Sequence, residues 1–344
     1  MKRSILLASA CIAVILGFII GVSTKCINTD HKDVAGGIST ENTAEPLTEE
    51  SLVSSREEET KAPAPHLIEI FDTAKAMEHI RMLSSGIGIR VQGTEGDRRA
   101  AEYIREAFRQ GGYAEVVTQT VPLPNGGTTS NIYVDSPGSG DGFTIIIGAH
   151  YDTIGGTGSP GANDNASGVG VVLELARVFR TNPHYPNLRF VAFGAEEVTP
   201  GLGRNDHHHG SRYMAARLGQ EPDKNFIGAI SVDMVGVGNR LLLNSTLKTP
   251  KSLLDLFFAY CKGQGIIPEF RQDKEWSDHE AFEGHGISSF WMEFYNDPNY
   301  HTTADTIDKI EPSLIERSGL LLQGFLESLD HEACRQLDAV SEYR

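Results

Sequence analysis

Apolar and polar residues follow helical and strand periods in turn along most of this chain. Helical spacing of apolar residues predicts helices over 68–83, 98–108, 166–180, 210–219, 251–263 and 312–330. Alternating positions or short apolar runs predict strands over 114–123, 130–134, 143–147, 188–194, 227–233 and 288–294. From residue 143 onwards strands and helices take turns. This order favours an α/β fold with a mostly parallel central sheet flanked by helices on both faces.

The N-terminal segment has a different pattern. Residues 5–22 form a nearly unbroken apolar run behind the basic Lys2 and Arg3. We therefore predict a signal peptide or an uncleaved signal anchor over 1–25, in which residues 4–22 would tether the protein to a membrane. The basic residues favour an inside N-terminus, so we expect the body to be extracellular or at the cell surface.

Composition bounds the remaining chain. Residues 26–65 are rich in Ser, Thr, Glu and Pro, which predicts a disordered acidic tether, and residues 66–344 are expected to form one domain.

A net charge of −16 argues against a nucleic-acid partner, because phosphate contacts require Lys and Arg. Four cysteines are too few for a disulfide scaffold. Buried free thiols are expected at Cys261 and Cys334, and a bridge between them is the alternative.

Metal-binding side chains follow the ends of several predicted strands or start the helix after them. The set is His150, Asp152, Asp164, Glu196, Glu197, Asp233 and His301. The carboxyl ends of parallel strands open onto one crevice, so we expect these side chains to converge. Clustered carboxylates repel one another unless cations lie between them, and mixed His and carboxylate ligands suit Zn²⁺.

The pair Glu196-Glu197 suggests how such a site would work. Neighbours in extended backbone point in opposite directions, so one can bind metal while the other faces a water molecule. Two metal ions sharing a carboxylate would activate that water, and the second Glu would move its proton to the leaving group. Each feature alone is more typical of structural or surface residues, and only their joint occurrence favours a site.

Five motifs carry a resemblance to a known family: GAHYDT at 148–153, GANDNASGV at 161–169, AFGAEE at 192–197, SVDMVG at 231–236 and YHTTADT at 300–306. In this order they resemble the secreted di-zinc aminopeptidases of the bacterial leucyl-aminopeptidase type, whose family also holds glutaminyl cyclases and glutamate carboxypeptidases. The resemblance covers roughly 68–330. It implies a zinc aminopeptidase domain that hydrolyses the N-terminal peptide bond of peptides.

The resemblance also implies a ligand set for two Zn²⁺ ions per chain. His150 and Asp233 would bind one ion, and Glu197 and His301 would bind the other. Asp164 would bridge the two ions.

Three further roles are implied by the same resemblance. Glu196 would be the general base that activates water. Asp152 would orient the ligand imidazole of His150, and Tyr300 would help to hold the carbonyl oxygen in the transition state.

The segment Val198–His209 is longer than the short Gly-Leu-Leu-Gly-Ser that follows the Glu pair in many family members. Its three histidines, His207 to His209, favour an exposed polar loop, and an extra metal site is the alternative. The aromatic residues Trp276, Phe282 and Phe294 or Tyr295 either line a pocket for the first side chain or belong to the core.

Two other functions remain open. A glutaminyl cyclase with one zinc ion is disfavoured because the ligand set is complete for two metals. A non-catalytic ectodomain is disfavoured because no ligand is missing. The sequence fixes neither the preferred N-terminal residue nor the oligomeric state.

Overall fold

The computed structural model describes residues 68–198, 203 and 206–341. The predicted signal or anchor segment over 1–25 and the predicted tether over 26–65 lie outside these residues. Among the residues described, no helix combines the length and the apolar character needed to cross a membrane.

The described residues form an eight-stranded sheet: β1 (Val117–Pro122), β2 (Thr128–Ser136), β3 (Phe143–His150), β4 (Asn187–Phe193), β5 (Asn225–Val232), β6 (Arg240–Ser245), β7 (Glu269–Gln272) and β8 (Ser289–Tyr295). Their spatial order is β1-β2-β4-β3-β5-β8-β6-β7. The pairs β4–β3, β3–β5, β5–β8 and β6–β7 are parallel. The pairs β1–β2, β2–β4 and β6–β8 are antiparallel. The predicted α/β class with a mostly parallel sheet is confirmed.

Helices cover both faces of this sheet: α1 (Thr73–Arg81), α2 (Glu95–Gln110), α3 (Gly168–Phe179), α4 (His209–Ala215), α5 (Ser252–Gly263), α6 (His279–Glu283), α7 (Pro312–Ser328) and α8 (His331–Val340). Ile145 and Ile147 of β3 pack in an apolar cluster with α1, α2, α3, α5, α7 and α8. Ile146 between them packs in a second cluster with α4 and α6. Successive side chains of a strand point to opposite faces, so the sheet is buried on both sides.

Strand β3 lies near the centre of the sheet, and all eight of its residues are buried. A parallel strand with both faces covered needs a continuous apolar run, which explains the sequence Phe143 to Ala149. His150 ends this run as a buried polar residue. The most firmly packed strand therefore delivers the first predicted metal ligand.

Helix α1 begins later than the predicted range of 68–83. The carboxylate of Asp72 caps the helix by accepting a hydrogen bond from the N–H of Ala74 at 2.9 Å. Just before it, the N–H of Phe71 donates to Oε1 of Gln323 at 2.9 Å. Because a distant side chain satisfies this backbone group, the residues ahead of the cap run extended, and the predicted start was wrong.

Four elements were absent from the prediction: β6, β7, α6 and α8. The predicted helix over 312–330 stops at Ser328. Asp330 then caps α8 by accepting from the N–H of Ala333 at 2.9 Å. Strand β7 has four residues at the edge of the sheet, and its pattern shows no buried face. Such a short edge strand is specified by its neighbour rather than by its own period.

Cys261 of α5 and Cys334 of α8 are both free and buried. Burial raises the pKa of each thiol to about 12, so both stay protonated near neutral pH. The expectation of buried free thiols is confirmed, and the alternative bridge between them does not form.

Candidate metal centre and active site

The predicted metal ligands meet at the carboxyl ends of neighbouring strands. His150 is the last residue of β3, and Asp233 follows β5 directly. Glu196 and Glu197 come just after β4, which lies on the other side of β3. His301 follows β8, the next strand beyond β5. Open α/β sheets bind their ligands at this edge.

Sharp turns with left-handed backbone present these side chains. Ala195, Met234 and His301 have φ values of 58°, 55° and 58°, although none is glycine. Such a conformation costs roughly 1–3 kcal/mol per residue and persists only where the surroundings enforce it. Each of these residues is a predicted ligand or adjoins a predicted site residue. Left-handed backbone is therefore one of the means by which the turns direct predicted site residues into the crevice.

Asp164 is placed by an irregular turn, Ala162–Ser167, that leads into α3. Its φ of −111° and ψ of 90° are not helical, so the chain kinks at this residue. Gly161, just before the turn, has a φ of +61°, and a Cβ there would lie 2.4 Å from the carbonyl oxygen of Asp164. Glycine is therefore required for the chain to enter this turn.

Two groups of possible metal ligands share Asp164. His150, Asp164 and Asp233 form one group, and Asp164, Glu197 and His301 form the other, with the ligand atoms of each group within 4.8 Å of one another. Oδ1 of Asp164 lies 3.2 Å from Nε2 of His150, and its Oδ2 lies 3.1 Å from Nε2 of His301. The carboxylate thus offers one oxygen to each group.

The donor set fits zinc. Both groups contain one imidazole and two carboxylates, which are ordinary Zn²⁺ ligands. Oδ1 of Asp233 is buried and has no hydrogen-bond partner among the described residues, although it lies 3.5 Å from Nε2 of His150. A buried carboxylate oxygen without a partner is costly, and a cation in this group would compensate it.

Burial and the clustered charges shift the pKa values in both groups. Burial lowers the pKa of His150, but the surrounding carboxylates, Glu196 foremost, raise it well above its ordinary value. Burial likewise lowers the pKa of His301, and hydrogen bonds to Asp164 and Glu197 raise it to about 10. Ligand imidazoles must be neutral, so binding of a cation is expected to release protons here.

Asp152 lies behind the Glu pair as well as behind His150. Its Oδ1 is 3.6 Å from Nδ1 of His150, which is longer than a hydrogen bond. Its two oxygens accept hydrogen bonds from the N–H groups of Glu196 at 2.9 Å and Glu197 at 3.1 Å. In this structure Asp152 chiefly fixes the backbone of the turn that carries both glutamates, a role that the sequence did not indicate.

The side chain of Glu196 lies beside the first ligand group. Its Oε2 is 3.8 Å from Nε2 of His150, and its Oε1 is 2.8 Å from Nε2 of His208. Burial raises the pKa of Glu196, but His150 and His208 outweigh that effect and lower it. The carboxylate is therefore held in its ionised form.

The prediction of an exposed polar loop at His207 to His209 was wrong for His208. This side chain is only 3% exposed, because it inserts between the carboxylates of Glu196 and Glu280. His207 lines the cleft, and His209 begins α4. The metal-capable groups found among the described residues include none of the three, so they give no support to the alternative of an extra metal site.

Tyr300 lies at the mouth of the site. Its ring stacks on the imidazole of His301 with centroids 3.6 Å apart, and 49% of the residue is exposed. Burial of the hydroxyl and the charge of Asp164 raise the pKa of Tyr300 well above its ordinary value. The hydroxyl therefore keeps its proton and can donate a hydrogen bond to a ligand in the cleft.

Asp305 holds the backbone of the turn that carries Asp164, although sequence reasoning did not single it out. Its oxygens accept hydrogen bonds from the N–H of Asn163 at 2.7 Å and from the N–H of Asp164 at 3.1 Å. Oδ1 of Asn163 in turn accepts from the N–H of Gly236, beyond β5, at 2.8 Å. The turn of Asp164 is therefore tied to the segments on either side of the crevice.

Arg90 is a second contributor that the sequence did not reveal. Its guanidinium is fully buried and, within the described part of the chain, donates to five backbone carbonyl oxygens at 2.7–3.0 Å: those of Leu83, Gly88, Tyr151, Pro160 and Gly161. Burial lowers the pKa of Arg90 to about 10, and Asp305, Asp152 and Asp164 act against this shift. The side chain holds both ends of the loop between His150 and Asp164.

A cleft of about 740 Å³ opens over these groups. Away from the ligands it is lined by Arg271, Trp276, Trp291, Glu293 and Tyr295. The guanidinium of Arg271 lies 5.5 Å from the centres of the Trp276 and Trp291 rings. It donates a hydrogen bond to the carboxylate of Glu293. This part of the cleft therefore combines aromatic rings with the charged pair of Arg271 and Glu293.

The predicted pocket residues divide between this cleft and the core. Trp276 and Tyr295 line the cleft and are 57% and 37% exposed. Phe282 and Phe294 are each 1% exposed and pack in the apolar clusters. The first two remain candidates for contact with a substrate side chain, and the other two are core residues.

Curated relatives share much of this chain. It is 33% identical over 250 residues to the uncharacterised protein YfbL of Escherichia coli, covering 62% of this chain and 74% of YfbL. It is 30% identical over 188 residues to the aminopeptidase YwaD of Bacillus subtilis, covering 52% of this chain and 39% of YwaD. The chain thus spans well under two thirds of the latter relative.

Solved structures share the fold. A glutaminyl cyclase from Bacteroides thetaiotaomicron bound to N-acetylhistamine has a TM-score of 0.67 at 22% identity over 77% of this chain and 100% of that chain. A leucine aminopeptidase precursor from the same species has a TM-score of 0.67 at 21% identity over 77% of this chain and 99% of its own. At these identities the likeness establishes the fold, which a cyclase and an aminopeptidase share.

The family model of peptidase family M28 matches residues 131–326, more than half of the chain. The matched segment contains both ligand groups and Glu196. The predicted enzyme class, a zinc-dependent hydrolase related to aminopeptidases, is confirmed. The chain belongs to peptidase family M28.

Proposed function

We propose that this protein is a di-zinc aminopeptidase that hydrolyses the N-terminal peptide bond of peptides. The observation that carries the proposal is the position of Asp164, whose two oxygens lie 3.2 and 3.1 Å from histidines of different ligand groups. A carboxylate shared in this way is typical of two-metal hydrolytic sites. The family match and the similarity to the aminopeptidase YwaD support the reaction class.

Two zinc ions would be held by the residues already in place. His150 and Asp233 would bind one, Glu197 and His301 the other, and Asp164 both. When bound, the ions would polarise the scissile carbonyl and lower the pKa of a water molecule at the site. Their four positive charges would balance four carboxylates, since Glu196 adds to the three acidic ligands.

The protein residues around the ions would move the proton and hold the substrate. Glu196 would accept a proton from the attacking water at Oε2 and give it to the leaving amine. Its lowered pKa keeps it ionised and ready to accept. Tyr300, protonated and beside His301, would donate a hydrogen bond to the carbonyl oxygen as negative charge develops there.

Glutaminyl cyclisation is the alternative reaction, because a solved glutaminyl cyclase has the same fold. A cyclase would convert a peptide that begins with Gln into a pyroglutamyl peptide and ammonia. An aminopeptidase would release free glutamine and a shortened peptide. The complete second ligand group of Asp164, Glu197 and His301 supports the peptidase. The same intact ligand sets speak against a non-catalytic ectodomain.

We also propose that the enzyme acts outside the cell or at its surface. This proposal rests on the apolar run over 5–22 and the basic residues before it. It implies that the substrates are extracellular peptides.

A free N-terminus should be essential for cleavage. Zinc-loaded protein is expected to release the first residue from peptides such as Leu-Gly-Gly and to leave their N-acetylated forms intact, at rates differing by more than about 100-fold. A matched peptide starting with Gln should yield free glutamine, as measured by mass spectrometry. Cleavage of the acetylated peptides at equal rates, or formation of the pyroglutamyl peptide alone, would rule out the proposed function.

A further inference from the structure

His208 and His209 lie against the turn that carries the Glu pair. The N–H of His208 donates to the carbonyl oxygen of Glu196 at 2.8 Å, and the N–H of His209 donates to that of Ala195 at 2.8 Å. His208 itself has a φ of +55°, a conformation that non-glycine residues adopt only when it is enforced. This backbone geometry directs the His208 side chain inward, directly before α4 begins.

Inside, the imidazole of His208 joins two carboxylates. Nε2 lies 2.8 Å from Oε1 of Glu196, and Nδ1 lies 3.1 Å from Oε1 of Glu280. Glu280, on α6, is held in turn by Nε of Arg212 on α4. Side chains in contact therefore lead inward from Arg212 through Glu280 and His208 to Glu196.

The contact with His208 fixes Oε1 of Glu196 and leaves Oε2 available. With Oε1 held by His208, Oε2 faces the first ligand group at 3.8 Å from Nε2 of His150. The hydrogen bonds that Asp152 accepts from the N–H groups of Glu196 and Glu197 fix only the backbone of the turn. Without a partner for Oε1, the Glu196 side chain would be free to rotate about its own torsions. A displacement of about 1 Å at a reacting group costs on the order of 100-fold in rate.

We propose that His208 is a positioning residue that sets the orientation of the Glu196 carboxylate. Glu280 and Arg212 hold His208 in place for this task. The inference rests on the proposed function of Glu196 as general base. It also assigns a role to His208, which lies in the segment that is longer here than in many family members.

The test compares His208→Phe, which keeps the ring volume but cannot donate, with His208→Gln, whose amide can still donate to Oε1. His209→Gln serves as the control. It replaces the adjacent histidine and leaves in place the contacts of His208 with Glu196 and Glu280. We expect His208→Phe to lower kcat about 30- to 100-fold with KM changed less than about 3-fold. His208→Gln should recover at least part of that loss, and the control should match the wild type.

Two further measurements separate positioning from damage to the fold. Zinc content and thermal midpoint should be retained in His208→Gln, which guards against a Phe variant that fails to fold. In the background of Glu196→Gln, the His208 substitutions should cause no additional loss, because the base they orient is already gone. An equal loss in both backgrounds, a loss of bound zinc in His208→Gln, or an unchanged kcat in both His208 variants would overturn the inference.

A structural readout keeps the inference testable without activity. Crystal structures of the zinc-loaded wild type, His208→Gln and His208→Phe provide this readout. Oε1 of Glu196 should contact His208 in the wild type and should be displaced in His208→Phe, while the metal ligands keep their positions. If the wild type is inert on all peptides, the proposed function fails, and these structures alone decide whether His208 orients Glu196. An unmoved carboxylate in the Phe variant would overturn the inference.

Discussion

Glu196→Gln is expected to lower kcat by roughly 10²–10⁴-fold while both zinc ions stay bound. The amide has the size of the carboxylate but cannot accept the proton of the attacking water. Because Glu196 belongs to neither ligand group, its replacement should leave metal affinity nearly intact. The comparison is made by steady-state kinetics on a free peptide, with zinc content measured on the same samples.

The matched control for this variant is Glu102→Gln on the exposed face of α2. Among the residues that the structure describes, Glu102 pairs with Arg105, one turn along the same helix, so its replacement should change kcat by less than about 2-fold. A Glu196→Gln enzyme that keeps wild-type kcat with zinc bound would remove Glu196 from the mechanism. Loss of zinc in the same variant would instead assign Glu196 to the ligands.

Arg90→Met is expected to lower the free energy of unfolding by more than about 4 kcal/mol. The guanidinium supplies hydrogen bonds to five carbonyl oxygens, and each buried acceptor left without a donor costs roughly 1–3 kcal/mol. The nearby carboxylates Asp305, Asp152 and Asp164 would also lose a buried cation. Urea unfolding of the metal-free protein, followed by circular dichroism, measures the change.

Arg98→Met provides the comparison for this measurement. Arg98 is exposed on α2 and pairs with Glu95, a contact worth about 0.5 kcal/mol or less. We therefore expect an almost unchanged urea midpoint for Arg98→Met and a large drop for Arg90→Met. Equal midpoints for the two variants would show that the carbonyl contacts of Arg90 contribute little. Because Arg90 holds the loop between His150 and Asp164, the variant should also bind zinc more weakly.

The sequence located the ligand groups because their positions follow from local patterns. His150 and Asp233 come directly after buried apolar runs, and Glu196 and Glu197 come just beyond another. Parallel strands bring such positions to one edge whatever the rest of the chain does. His301 lies six residues beyond the end of β8, and the resemblance to a known family then assigned it to the second ion.

The supporting residues escaped prediction because their partners are distant in sequence. Arg90 contacts Gly161, 71 residues away, and Asp305 contacts Asp164, 141 residues away. His208 lies in a polar run that is typical of an exposed loop, and only the return of that run onto Glu196 buries it. No periodicity in a single sequence reports such contacts.

Elements of the fold were likewise predicted where the signal is local and missed where it depends on distant or single residues. Strand β3 was predicted from its apolar run because both of its faces are buried. Strand β7 was missed because four residues at a sheet edge carry no period of their own. The break between α7 and α8 depends on the cap at Asp330, a single residue within an otherwise helical stretch.

The central claim is that Asp164 joins two zinc sites, and the zinc content per chain tests it most directly. Protein stripped with a chelator, reloaded with zinc and freed of excess metal should contain about two zinc ions per chain by mass spectrometry of the metal. Asp233→Asn should keep about one, and Asp164→Asn should keep fewer than one. A single zinc ion in the wild type, or two in Asp164→Asn, would contradict the shared site.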